Sequence, residues 1–96
     1  MIYIQSADEK TKWERAYTIM MNNKHCLEHW RLIGWKLVGN AVVAEYENRS
    51  NYMLKEKLKE IVDLWRERRG RKATREMLAV HLRDFNLTNA SGKWYA

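Results

Sequence analysis

Six cations, Arg66, Arg68, Arg69, Arg71, Lys72 and Arg75, share the positions from 66 to 75 with one anion, Glu67. This is a net +5, whereas the whole 96-residue chain carries +6, so the remainder is close to neutral. Cations at a helix end complement the macrodipole, but one or two are enough for that. The surplus suits an acidic partner, because the guanidinium fork pairs bidentately with an anion and stays charged when partly desolvated. Dipole complementation and partner docking both stand as readings of this block. A second group is Arg31, Leu32, Trp35 and Lys36. If Trp30, Ile33 and Leu37 face a core, a step of about 100° per residue turns Leu32 and Trp35 away from it. Two large apolar groups beside two cations then form a binding patch, unless the amino-terminal MIYI segment or the first helix covers them. Glu45 and Glu47 are either solvated charge or the acidic counterpart for another chain's basic corner. In the second case the contact is heterologous and grows open assemblies.

Chemistry of other kinds finds little support. Cys26 lies between His25 and His29, but a metal needs three or four ligands, and His81 is remote in sequence with no carboxylate at a ligand spacing. No base with an orienting partner can be named to activate Cys26, and no Gly-rich phosphate loop is present. The expectation is a non-enzyme with no catalytic residue, no metal, no cofactor and no small-molecule substrate. The lone cysteine rules out an internal disulfide and suggests a reducing, cytoplasmic setting. MIYIQSADEK has the character of neither a signal peptide nor an anchor. No window approaches the roughly 20 apolar residues of a membrane span.

These side chains must be carried by helices. The chain has no proline, and its apolar residues recur at three- and four-residue steps without strand alternation. Helices are expected at 7–21, 25–38, 41–47, 52–69, 74–85 and 88–95 within a single domain spanning 1–96. Ser6 and Glu9 have capping-box spacing, and Trp13, Ala16, Tyr17, Met20 and Met21 form the first inward stripe. Leu27, Trp30, Ile33, Gly34 and Leu37 form the second, which Gly39-Asn40 ends. Val43 and Tyr46 lie one turn apart. Leu54, Leu58, Ile61, Val62 and Trp65 line the longest helix, with Lys55, Glu56, Lys59, Glu60 and Asp63 opposite, and Gly70 stops it. Thr74 caps the helix that points Leu78, His81, Leu82 and Phe85 inward.

The order of these residues resembles the death domain over about three quarters of the chain. Trp30-Arg31-x-Ile33-x-x-x-Leu37 is similar to that family's Trp-Arg-x-Leu-x-x-x-Leu stretch, and Val38-Gly39 stands where Leu-Gly is usual. Val43-x-x-Tyr46-Glu47-Asn48 resembles Ile-x-x-Ile-Glu, and Ile61-Val62-x-x-Trp65 resembles Leu-Leu-x-x-Trp. Gly70-x-x-Ala73-Thr74 with Leu78 and Leu82 resembles the Gly-x-x-Ala-Thr-x-x-x-Leu-x-x-x-Leu signature. Asp84-x-x-Leu87-x-x-Ala90 is compatible with the entry into a sixth helix. Leu32 and Trp35 depart from the family, whose members often carry polar or basic residues there.

The resemblance implies an all-α fold, a six-helix antiparallel Greek-key bundle. It also implies a signalling adaptor in apoptosis or innate immunity that assembles homotypically with other death-domain proteins, not an enzyme. The corner at 66–75 would contribute one docking surface, steering an acidic partner before a small apolar patch is buried. The alternative is a small basic helical domain that binds nucleic acid with the same arginines. A helix-turn-helix version would use 74–85 as its recognition helix, but Glu76 and Asp84 add negative charge there, and Leu78, Leu82 and Phe85 commit one face to the core.

Overall fold

Without proline to interrupt them, the periodic segments form six α-helices and one 3-10 turn in the computed structural model, which describes residues 7–49 and 53–85. The helices are α1 (Ala7–Met21), α2 (Lys24–Glu28), α3 (Trp30–Val38), α4 (Asn40–Glu47), α5 (Leu54–Arg69) and α6 (Arg75–Arg83), and the 3-10 turn is Gly70–Lys72. There is no strand among the described residues. Ser6 and the expected helix at 88–95 lie outside them.

α3 is the central element. It packs on α5 and α4 and also touches α6, while α1 rests on α2 and α5. Trp30, Ile33, Leu58, Ile61, Val62, Leu78 and Leu82 are essentially sealed from solvent, and Trp13, Ala16, Met20 and Trp65 extend the same core. Each large side chain sealed in this way contributes roughly 1.5–3 kcal/mol before chain entropy is set against it. Gly34 permits the close approach: a Cβ there would stand 2.7 Å from Val43 Cγ2 on α4 and 3.0 Å from Ile61 Cδ1 on α5.

The expected helix at 25–38 is two helices. The Asn23 side chain accepts from the Cys26 amide and opens α2 one residue early. His29 then leaves helical torsions, at φ −105° and ψ 24°, with its ring Nδ1 2.9 Å from the His25 carbonyl oxygen. The side chain joins the backbone at that carbonyl, and α3 starts afresh at Trp30. Gly39, at φ 97°, then ends α3 by donating to the Gly34 and Trp35 carbonyls, and α4 begins at the next residue.

Leu54 is a correction to the inward stripe of the long helix. It opens α5, beyond the end of the core, and is exposed. Lys57 is buried instead, with its ammonium 5.1 Å from the centroid of the Trp30 ring. In α6, Leu78 and Leu82 are buried as expected and His81 is half-buried, but the helix ends at Arg83, short of the expected end at Phe85, which is half-buried in the turn beyond.

Candidate functional site

The last turn of α5, the 3-10 turn and the first residue of α6 present the basic block, and Gly70, at φ 58°, divides it. Three of its six cations are engaged within the fold. The Arg66 guanidinium lies 4.0 Å from the centroid of the Trp13 ring and donates to the Tyr17 hydroxyl at 3.3 Å. Tyr17 in turn donates to Asp63 Oδ1, and Lys59 donates to the other Asp63 oxygen. Burial pushes the Tyr17 phenol far above its ordinary range. The Arg66 hydrogen bond opposes this, and the neighbouring Asp63 adds to it. Arg66 therefore fastens α5 to α1.

Arg68 donates to the Val38 carbonyl at 3.3 Å, occupying one of the carbonyls that the end of α3 leaves without a helical partner. The helix whose end it complements is α3, not its own. Arg75 stands 3.7 Å from Glu9 of α1. Arg69, Arg71 and Lys72 are exposed and enter none of the ion pairs among the described residues. The docking block read from sequence thus reduces to these three.

The acidic pair on α4 is neutralised locally. Glu47 accepts from Arg31 Nε and Glu45 from Arg49 Nη2, both at 2.6 Å. Arg31 also covers the Trp30 ring at 4.9 Å. Such exposed pairs are worth about 0–1 kcal/mol each, so they mute the surface charge more than they hold the fold. Leu32 and Trp35 are exposed, at 44% and 50%, on α3. Lys36 reaches Asp84, at the end of α6, at 3.5 Å.

Lys36 does more than pair with Asp84. It shares a cleft of about 450 Å³ with Arg69, Lys72, Trp65, Met77 and His81, where α3, α5, the 3-10 turn and α6 meet. The cleft has three cations on its walls and, among the described residues, no carboxylate in its lining. The His81 ring meets Trp65 edge-on, with centroids 5.9 Å apart, and its buried Nδ1 has no hydrogen-bond partner among the described residues. Burial first, and then the Lys36 charge, hold the imidazole below its ordinary pKa; Asp84 opposes them and Arg69 reinforces them. A second hollow, about 590 Å³, lies between α1, α5 and α6, with both signs of charge on its wall, including Glu9, Arg71 and Glu76.

Among the described residues no group of three His, Cys, Asp or Glu side chains could hold a metal ion. Cys26 is fully buried, and burial pushes its thiol up to about 11, far from a reactive thiolate. No described helix is long and apolar enough to cross a membrane.

No protein-family model matches the chain, and no curated protein or solved structure matches it either.

The apolar period sets His81 inward and Lys36 outward, and neither position by itself points to a shared cleft. Their separation in sequence hides the contact. Lys57 carried one usable signal: it falls one helical turn before Ile61 on the inward stripe of α5.

Proposed function

We propose that this chain is a protein-interaction module of the death-domain kind. It acts as a cytoplasmic signalling adaptor in apoptosis or innate immunity and assembles with other domains of the same fold. In this reading α2 and α3 together stand for the second helix of a six-helix Greek-key bundle, whose sixth is the expected helix at 88–95, outside the described residues. The residues that carry the family resemblance support it: Trp30, Ile33, Leu37, Ile61, Trp65 and Ala73 all belong to the buried core. The observation that carries the docking role is the corner of Arg69, Arg71 and Lys72, exposed and without an ion-pair partner among the described residues. Uncompensated cations held on a rigid helix end and its adjoining turn attract an acidic partner surface and orient it during encounter.

The test is affinity capture from cytosol by the native chain and by the variant Arg69→Glu, Arg71→Glu, Lys72→Glu, with nuclease treatment and mass spectrometry. Capture of death-domain proteins that survives nuclease and is lost in the variant is the expected result. The variant's circular-dichroism spectrum should be unchanged. Capture that disappears with nuclease, together with duplex DNA or RNA binding whose affinity falls steeply with salt, would move the corner to phosphate recognition and overturn this reading.

A further inference from the structure

We propose that the cleft between α3, α5 and α6 seats an acidic peptide segment of a protein partner, with its carboxylates on Lys36, Arg69 and Lys72 and one large apolar side chain against Met77 and Trp65. This rests on the docking reading above and specifies its chemistry. The corner divides into two unlike parts. Arg71 lines the hollow of mixed charge, whose wall also carries Glu9 and Glu76. Arg69 and Lys72 turn to the other side, where Lys36 joins them from a remote helix and no acid among the described residues lines the wall. The Lys36–Asp84 pair is long and exposed, so a ligand carboxylate can take its place.

The apolar part of the lining decides the class of ligand. Met77 is 41% exposed although it sits one turn from the α6 N-cap Thr74, and its adaptable thioether lies in the same cleft as the Trp65 ring. A bare phosphate or a nucleic-acid backbone would use the cations and leave this apolar surface in water. A peptide with an apolar residue flanked by acids uses both.

His81 gives the site a signature of its own. In the imidazolium the buried Nδ1–H has no acceptor among the described residues, and Lys36, Arg69 and Lys72 line the same cleft while Asp84 opposes them. A bound carboxylate offsets those cations and favours the imidazolium. Binding therefore tightens as pH falls from 7 to about 6.

The experiment follows the Met77 methyl and the His81 ring by NMR in the full chain. The probe is the capped peptide acetyl-Glu-Glu-Phe-Glu-Glu-amide. The comparators are the same peptide with Ala for Phe, the same peptide with Gln for each Glu, and inorganic phosphate. Saturable shifts at both reporters are expected, with a raised His81 midpoint in the complex. Affinity should be about tenfold weaker for the Ala peptide and for Met77→Ala, and weaker still for Lys36→Gln, Arg69→Gln, Lys72→Gln. Met77→Ala keeps every charge of the corner, so its effect isolates the cleft. Equal affinity for the Phe and Ala peptides, shifts that avoid Met77 and His81, or phosphate reproducing the peptide's effect would each overturn the inference while leaving the docking corner standing. Failure of the docking reading shows separately, as unchanged capture of death-domain proteins by the charge-reversed corner.

Discussion

The guanidinium of Arg66 lies 4.0 Å from the centre of the Trp13 ring, and this contact joins the longest helix to the first. It takes one cation out of the basic block and gives it a structural task. Arg66→Gln should cost about 1–2 kcal/mol in urea unfolding, because the stacked cation and the hydrogen bond to Tyr17 are both partly buried. Arg69→Gln and Arg71→Gln should stay within about 0.5 kcal/mol of the native chain. Equal losses at all three positions would contradict the division between structural and free cations.

Gly34 predicts the tightness of the contact between α3 and its neighbours. Alanine would gain helix propensity of about 1 kcal/mol over glycine. Its Cβ would meet the stiff Val43 side chain at 2.7 Å, however, so a net loss of about 1–3 kcal/mol is expected. Val43→Ala should relieve much of this penalty in the double variant. A Gly34→Ala chain with a raised midpoint of thermal unfolding would show that the helices are looser than described.

His81 predicts the response to mild acid. Its pKa is held below 6.5 in the folded state, so the unfolded chain binds the proton more readily. The stability this group contributes is present above pH 6.5 and is lost as pH falls below it. His81→Gln should flatten the slope of the urea midpoint against pH between about 7 and 5. An unchanged slope would assign the acid sensitivity elsewhere.

Cys26 predicts a silent thiol. Burial raises its pKa from 9.0 to about 11, so folding favours the protonated form, and this contribution is lost as pH rises from about 9 towards 11. At neutral pH a thiol-specific reagent should label the native chain only through opening of the fold, and mild urea should accelerate labelling strongly. Prompt stoichiometric labelling of the native chain would place Cys26 at the surface.

Local features were legible in the residues themselves. The ends of α1, α3 and α5, the left-handed glycines 39 and 70, the Thr74 cap and the inward Trp30 and Trp65 all follow from near neighbours along the chain. The turn at His29 escaped, because a side-chain bond to the His25 carbonyl there competes with an uninterrupted apolar period. Leu54 escaped because periodicity marks a face and says nothing about where along a helix the core ends.

By itself the sequence determined that the chain is helical, where most helices stop, which faces are apolar, and that nearly all the net charge sits between 66 and 75. These properties depend on backbone torsions and on spacings of three or four residues, which are written contiguously. Only the tertiary structure decided what each charge does. Arg66 reaches Tyr17 across 49 positions, and Arg68 reaches Val38 across 30. Lys36 comes to Arg69 and Lys72 because α3 and α5 pack face to face. A charge becomes a brace, a cap or a docking group according to the polar atom or ring that packing brings within a few ångströms, and that neighbour lies far away along the chain.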